Sequence, residues 1–396
     1  MLPFEEALRR ILALARQTDV EIVPIETARG RVLADESITA PVDVPPFTNS
    51  SMDGFAVRSA DTPGELTLAG EVSAGSEATV ALAAGTTQRI MTGAPLPPGA
   101  DAVAPLEVVV EADDAVHVPA TERGAYVRQA GSDTRAGSRI ALGGRVSPAG
   151  IAVLASLGVS EVRVRRRPVV AVISTGDELV APGTPLAPGQ IYDANTPALA
   201  ASIEEAGGEP LVLARLPDRM DAIEAALVDG AARADLVVTS GGVSVGRHDH
   251  VREVLERRGS LEFWRIAVQP GKPLAVGSLD GTTVVGLPGN PVSALVTFEL
   301  FVRPLIRASL CLPGRGRLQV HARPDAEMVK DRDRRAFLRV KIRREAGEFR
   351  AGSAGGQGSA QLRPLAAASG LLIVPEGEAA ADPDRIYETI VTGELT

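Results

Sequence analysis

The sequence is poor in the residues that staple or anchor a protein. Cys311 is the only cysteine among 396 residues, so no intramolecular disulfide and no cysteine-rich metal site can form. Such usage suits a reducing compartment. No apolar run approaches the ~20 residues of a membrane-spanning helix, and the start, MLPFEEALRRILALA, carries Glu5 and Glu6 where a signal peptide would be basic. The net charge of −9 argues against broad nucleic-acid binding, which needs a positive surface. It leaves room for a locally positive site that takes a small anion. We therefore expect a soluble, cytoplasmic protein with no nucleic acid and no membrane among its partners. Histidines are few as well. His117 and His321 lie in separate β segments, and His248 and His250 are spaced i,i+2, not the i,i+4 of a helical zinc pair. They read as solvated loop residues.

What is present is a change of grammar along the chain. At roughly 150 residues per domain, two to four domains are expected. Phe4, Leu8, Ile11, Leu12 and Ala15 follow helical spacing, and Pro41, Pro45 and Pro46 then block helix. Residues 54–139 alternate short strands with turn signals, the pattern of a small β domain. Ser147 and Pro148 open a second helix, PAGIAVLASL, which Gly158 closes. The two helices are expected to share one helical and extended domain, 1–43 with 140–167, which an inserted β domain, 44–139, interrupts. From 168 to 312 apolar strands alternate with amphipathic helices over 195–206, 218–231, near 249–258, and from Pro291 to about Leu310. That alternation specifies an α/β domain with a central parallel sheet. From 313 to 396 β signals return, giving a second small β domain.

A parallel sheet binds its ligand beyond the carboxyl ends of its strands. Three polar loops follow three strands there: STGDEL (174–179), TSGGVSVGRHDH (239–250) and GLPGNPVS (286–293). Their expected convergence on one edge says more than any one of them. Asn290 suits a helix cap and Pro291 the first turn, where free N–H groups can take an anion; a helix start without a ligand reads the same way. Gly241, Gly242 and Gly246 would let backbone approach a phosphate, or would serve an ordinary strand-to-helix turn. No Gly-Lys-Ser/Thr follows them, and the run is not G-x-G-x-x-G. Asp177, Glu178, Asp218 and Asp249 lie in or beside the loops. Singly each reads as a helix cap or a solvated charge, Asp218 as a cap before RMDAIEAAL. Together they suit a hydrated Mg2+ that bridges to phosphate. Lys272, framed by Gly271 and Pro273, is either an anion contact or a turn lysine in solvent.

Seven segments, SMDGFAV, RIMTGAPLPPGADAV, STGDEL, TSGGVSVGRHD, PGKP, GLPGNPVS and GQGS, occur in this order between residues 51 and 359. In them the chain resembles the molybdopterin molybdotransferases, the MoeA/gephyrin E-domain group. The resemblance implies a homodimer of four-domain protomers, with a central domain of the molybdopterin-binding type and a C-terminal β barrel. It implies that adenylylated molybdopterin and molybdate react with Mg2+ to give AMP and molybdenum cofactor. By motif, Glu178, Asp218 and Asp249 correspond to the acidic residues of metal-assisted hydrolysis and to the metal ligands, with Asp53 and Lys272 also in the catalytic set. Ser174, Thr175, Gly176, Asp177, Ser240, Gly241, Gly242, Ser244, Gly271, Pro288, Gly289, Asn290 and Pro291 correspond to the cofactor-binding loops. Thr92 and Asp133, with Asp53, would reach the cleft from the inserted β domain of the other protomer, and Ser359 from the barrel. Implied partners are a second copy, a molybdopterin adenylyltransferase, and other molybdenum-cofactor biosynthesis or acceptor proteins.

The chain departs from the family at Gln269, where some members have a second lysine, and at His250, where an aromatic residue is common. Ala368 and Ser369 replace a frequent Ala-Asn, and YETIVTGELT matches the usual terminus poorly. The rival enzyme readings keep the α/β domain but make it a molybdopterin adenylyltransferase or a nucleotide pyrophosphatase. A non-catalytic cofactor carrier or scaffold is the reading from another class.

Overall fold

The computed structural model describes residues 1–213, 215–242, 249–312 and 316–395. Among them no helix is long and apolar enough to cross a membrane. The chain divides into two units, Ile22–Val164, and Met1–Glu21 with Arg165–Thr396.

In the unit 22–164 a six-stranded sheet runs in the order Ala102–Pro105, Gly54–Val57, Thr86–Ile90, Gly64–Val72, Ala115–Val118, Val110–Ala112. Gly54–Val57 is buried along its whole length because both faces are covered. Phe55 and Val57 enter one apolar cluster with Leu66 and Val116, and Ala56 enters another with Val72, Ile90 and Val103. The helix Pro148–Ser156 starts where Ser147 Oγ accepts the Gly150 N–H at 3.0 Å, and stops before Gly158 at φ +73°. Its Leu154 packs with Ile25, Val146 and Val162.

The first helix is not its companion. Phe4–Ala13 belongs to the other unit, where the Phe4 ring meets Phe301 and Phe337 at 5.5 and 5.3 Å and Arg335 donates to Glu5 at 2.8 Å. The apolar stripe is present, with Ala7, Leu8 and Ile11 buried, but spacing alone does not say which surface a stripe covers. The expected grouping of 1–43 with 140–167 is therefore corrected: residues 1–21 and 165–167 pack with the α/β and C-terminal domains.

That larger unit holds the α/β domain. Strands β1 (Val169–Ser174), β2 (Glu209–Val212), β3 (Leu236–Ser240), β4 (Ser260–Trp264), β5 (Ala275–Leu279) and β6 (Thr282–Leu287) lie in the order β2-β1-β3-β6-β5-β4. The four from β2 to β6 are parallel, in keeping with their apolar runs. β5 runs antiparallel between β6 and β4, so the sheet is parallel in its centre and mixed at one side. The cause is Asp280 and Gly281, at φ +49° and +84°, the left-handed pair that a tight hairpin needs.

Helices α1 (Asn195–Ala206), α2 (Met220–Arg233) and α3 (His250–Arg258) connect the strands. Ile223 and Leu227 of α2, with Val251 and Val254 of α3, pack on Ala171, Ile173 and Val237. The helix from Pro291 is not continuous. α4 (Pro291–Thr297) passes through a π turn, Phe298–Val302, into Arg303–Ser309. Pro304 has no N–H for the Leu300 carbonyl and its ring crowds that carbonyl, so the turn before it widens.

The C-terminal region closes a five-stranded barrel. Arg335–Glu345 pairs with Glu348–Ser353 on one side and with Gly370–Val374 on the other. Gln319–Pro324 and Tyr387–Val391 complete the circuit. Ala322, Leu338, Val340, Ile342 and Leu372 fill its core.

Register positions the site. Ser174 pairs with Ser240, and Ser240 with Leu287, so β1, β3 and β6 end level and their loops start side by side.

Candidate active site

The chain leaves β1 for β2 on one side and returns to β3 on the other. Strand order therefore reverses between β1 and β3, and in open α/β sheets a ligand crevice opens at that point. The loops beyond it are bonded together: the Thr175 N–H donates to the Ser240 carbonyl at 3.1 Å and the Gly241 N–H to the Leu287 carbonyl at 3.3 Å. Gly241 sits at φ +93°, and a Cβ there would lie 2.6 Å from the Thr175 carbonyl oxygen. The nearest neighbour of a Cβ on Gly289 would be the Gly241 Cα, at 3.7 Å. Bare backbone from three loops meets here.

Two residues that motif reading passed over hold this junction. Asn195 Nδ2 donates to Ser240 Oγ at 2.7 Å and to the Gly289 carbonyl at 2.8 Å. Asp193 Oδ1 accepts the N–H groups of Asn195 and Thr196 at 3.1 and 3.0 Å, and Oδ2 accepts the Thr196 hydroxyl at 2.6 Å. An aspartate shortly before Asn-Thr-Pro is a helix-start signature, so DANTP carried a readable signal for both.

Around the junction buried polar atoms are left without partners. Among the described residues, Ser174 Oγ, Thr175 Oγ1, Asp218 Oδ1 and both carboxylate oxygens of Asp249 are shielded and make no hydrogen bond. Each such group costs about 1–3 kcal/mol, and their concentration at one edge calls for an absent partner such as a ligand or ion. Asp249 is the extreme case. It precedes α3, is 5% exposed, and does not cap the helix with its side chain. Burial pushes its carboxyl up to about 6, and the nearby Arg252 only partly offsets this.

The other residues singled out from sequence distribute as follows. Asp177 is exposed, and its Oδ1 accepts the Asp218 N–H at 3.2 Å, while the Gly176 N–H donates to the Leu216 carbonyl at 3.2 Å. The first loop is thereby tied to the loop after β2. Asp218 does not cap α2, whose N-cap is Arg219. Glu178 is exposed, its carboxylate folded within 2.8 Å of where a Cβ on Gly176 would stand. Lys272 is half-buried, and its carbonyl accepts the Ile266 N–H at 3.0 Å. A Cβ on Gly271 would collide with Thr297 Cγ2. Gln269 Oε1 accepts the Asp331 N–H at 2.8 Å and is thereby committed to the C-terminal region.

Asn290 also departs from expectation. It makes no side-chain cap; it donates instead to Ser359 Oγ at 3.1 Å, and the Ser359 carbonyl accepts the Val292 N–H. The GQGS loop thus rests on GLPGNP, with buried Pro288 and with Pro291 in the first turn of α4. Behind GQGS lies Arg339, which sequence reading missed. It is fully buried; its Nη2 donates to the Gly356 and Gly358 carbonyls at 2.8 and 3.2 Å, while Nε and Nη1 have no partner among the described residues. Burial without a carboxylate pulls its pKa down. His250 is half-buried at the start of α3, not solvated as expected. Ser244, Gly246 and His248 lie outside the described residues.

In the unit 22–164, Asp53 Oδ1 accepts the Thr92 N–H at 2.6 Å and the Thr92 hydroxyl at 2.7 Å. The hydroxyl, then the N–H, hold Asp53 below the usual aspartate range. Asp133 is exposed, with its N–H on the Val44 carbonyl at 3.0 Å.

Among the described residues, no three His, Cys, Asp or Glu side chains gather closely enough to hold a metal ion. Glu178, Asp218 and Asp249 therefore do not gather as a group of three in this structure. A hydrated Mg2+ needs only one or two carboxylates, and the orphaned oxygens of Asp249 and Asp218 fit that lesser demand.

Fold and site together define an α/β ligand-binding domain of the switch-point type, carried in a longer chain with a β-rich unit before it and a β barrel after it. The chain belongs to the MoeA family. Residues 2–158 match the MoeA N-terminal region (domain I and II), 171–308 a probable molybdopterin binding domain, and 321–383 the MoeA C-terminal region (domain IV). It is 40% identical to molybdopterin molybdenumtransferase 2 of Mycobacterium tuberculosis, over 94% of this chain and 95% of that protein. It is 42% identical to the molybdopterin molybdenumtransferase of Haemophilus influenzae, over 77% of each chain. The crystal structure of the molybdopterin biosynthesis MoeA protein from Pyrococcus horikoshii superposes with a TM-score of 0.84 at 36% identity, covering 99% of both chains.

Proposed function

We propose that this chain is a molybdopterin molybdenumtransferase that takes adenylylated molybdopterin and molybdate, cleaves the phosphoanhydride, releases AMP and leaves molybdenum on the dithiolene. The names of its relatives support the transferase reading. The observation that carries the chemistry is Asp249, a buried carboxylate just before α3, whose Val251 N–H donates to the Gly242 carbonyl of the glycine loop at 3.3 Å, with no side chain bonded to either of its oxygens. Asp249 and Asp218 would hold Mg2+, which when bound neutralises charge on phosphate oxygens.

The protein's own part is positioning. The backbone of Gly241, Gly242 and Gly289 admits a phosphate close to the loops, and the unpartnered Ser174 and Thr175 hydroxyls can donate to its oxygens. Asn195 keeps two of the loops in register. Lys272 and the free N–H groups of Arg339 offer positive charge to an oxyanion. The working state in this reading is a cytoplasmic homodimer, supplied by a molybdopterin adenylyltransferase and delivering to acceptor proteins.

The test is AMP release from adenylylated molybdopterin by the purified chain with Mg2+, with and without molybdate. Molybdate-dependent release that is lost in Glu178→Ala is the expected result. Tight binding without release under either condition would leave a carrier in its place.

A further inference from the structure

The only tryptophan of the chain, Trp264, ends β4. Register sets its place: Trp264 pairs with Ala275, Ala275 with Gly286, and Gly286 with Thr239, so the four stand in one row just short of the strand-end loops. Two guanidinium groups lie against its ring, Arg252 at 4.4 Å and Arg265 at 3.7 Å from the centroid. An indole face is the best aromatic surface for a cation, and here it offsets two positive charges at once. Packing and this stack hold the ring, which also rests on the cluster containing Val251, Val254 and Leu255 of α3. No hydrogen bond contributes: Trp264 Nε1 and Arg265 Nε are shielded and have no partner among the described residues.

Each arginine belongs to a different part of the site. Arg252 stands in the first turn of α3, directly after Asp249 and His250-Val251, and its Nε donates to Glu256 at 2.8 Å. Arg265 opens the segment that leads to Lys272, and the next residue, Ile266, closes that segment by donating its N–H to the Lys272 carbonyl at 3.0 Å. In an extended strand, neighbours such as 264 and 265 point to opposite faces. Arg265 lies instead at φ +73°, and this left-handed turn brings its guanidinium back to the ring of Trp264. Such a conformation costs a non-glycine residue energy and persists only where its surroundings impose it. They do so here: the Arg265 carbonyl accepts the Leu2 N–H at 3.1 Å, and the Leu2 carbonyl accepts the Ala267 N–H at 2.9 Å.

We propose that Trp264 is a positioning residue: through Arg252 and Arg265 it ties the helix turn that follows Asp249 to the segment that carries Lys272, and so fixes the two charged groups relative to each other. The role rests on the reading of Asp249 and Lys272 given above and adds what holds them. Trp264 acts through its neighbours and touches no reacting atom. A ring that merely filled the end of the sheet would be replaceable by any apolar side chain of similar bulk. A ring that seats two guanidiniums is replaceable only by another aromatic face.

The experiment compares full-length wild type, Trp264→Phe and Trp264→Leu in AMP release from adenylylated molybdopterin, in Mg2+ binding by calorimetry and in urea unfolding. A small displacement of a charged group at a reacting centre is costly, so Trp264→Leu should lower kcat about tenfold and weaken Mg2+ binding about fivefold, with KM changed by less than about twofold. Trp264→Phe keeps a ring face and should stay within about threefold of wild type in both. The urea midpoints of the two variants should be alike. Because Trp264 is the sole indole, its emission reports the stack directly: Mg2+ should change it in wild type, and Arg252→Met should abolish the change. Equal losses in Trp264→Phe and Trp264→Leu, or an Mg2+ response that survives Arg252→Met, overturn the role. The Arg252→Met emission decides alone if Trp264→Leu fails to fold. Wild-type turnover in Trp264→Leu sinks the positioning role and leaves the transferase reading standing. A wild type that neither takes up Mg2+ nor releases AMP overturns that reading, and the role with it.

Discussion

The two edges of the central sheet carry aspartates of opposite character. At the amino edge Asp235, just before β3, accepts hydrogen bonds from Arg166 at 2.7 and 2.8 Å and from the Val169 N–H at 2.7 Å. Burial pushes its carboxyl up, but those partners outweigh burial and hold it below the usual aspartate range. At the carboxyl edge no side chain bonds to the shielded Asp249 carboxylate; burial pushes its carboxyl up, and the backbone and charge of Arg252 offset this only in part. One sheet therefore completes one carboxylate and leaves the other incomplete. A completed carboxylate holds elements together, whereas an incomplete one is stable only if something else, a ligand or cation, supplies what is missing. The difference separates a structural acid from a functional one without reference to any motif.

The sharpest way to break that comparison is to remove each acid in turn and measure single-turnover AMP release. Asp249→Ala should slow release roughly 100-fold or more, the scale found when a preorganised charged or polar group is taken from a reacting centre. Binding of the pterin should survive. Asp235→Ala should slow release less than twofold. Equal losses at both edges would erase the distinction.

Stability should rank the two acids the other way. Asp235→Ala leaves Arg166 and the Val169 N–H without their partner, and urea unfolding should show a loss of about 2 kcal/mol. The figure stays below that of a fully buried pair because both side chains keep a third of their exposure, 33% for Arg166 and 36% for Asp235. An unchanged midpoint would mean that solvent replaces the carboxylate at no cost.

Legibility in the sequence followed the range of the interaction. α1 spans Asn195–Ala206, as read, because its stop signal is local: Gly207 lies at φ +104°. The three strand-end loops were legible for the same reason, since strand and turn signals are short-range. The Asp280-Gly281 hairpin carries an equally local signal, whereas QPGKPLAVG, rich in Gly and Pro, reads as a frame for Lys272 and hides the start of β5. What sequence could not supply was the choice among partners. Asn290 has the chemistry of a cap, but Ser359, from a loop 69 positions away, takes its side chain. Arg339 has the parity opposite to the barrel-core residues Leu338, Val340 and Ile342, the parity of a surface residue, and it is buried with the GQGS loop against it. The orphaned state of Asp249 is likewise a property of the surrounding loops and has no signature in RHDH.

The smallest expected effect tests the comparison most directly, because it reverses the usual sign of a mutation. Asp249→Asn keeps the shape of the side chain and removes its charge. Burial raises the folded carboxyl from the ordinary 3.8 to about 6, so between those values the folded state binds more protons than the unfolded state. The contribution of this residue to stability is then greatest below about pH 4, declines as pH rises towards 6, and stays at the lower level above it. In metal-free buffer at pH 7.5, Asp249→Asn should therefore be more stable than wild type. The full shift corresponds to about 3 kcal/mol, but solvent relaxation around a site at the crevice reduces this, and we expect about 1 kcal/mol. The advantage should vanish near pH 4, where the wild-type carboxyl is itself protonated. A variant that gains stability while losing turnover is what a strained functional group produces. If Asp249→Asn instead loses stability at pH 7.5, as Asp235→Ala should, then Asp249 has a partner of its own and the two edges of the sheet are alike.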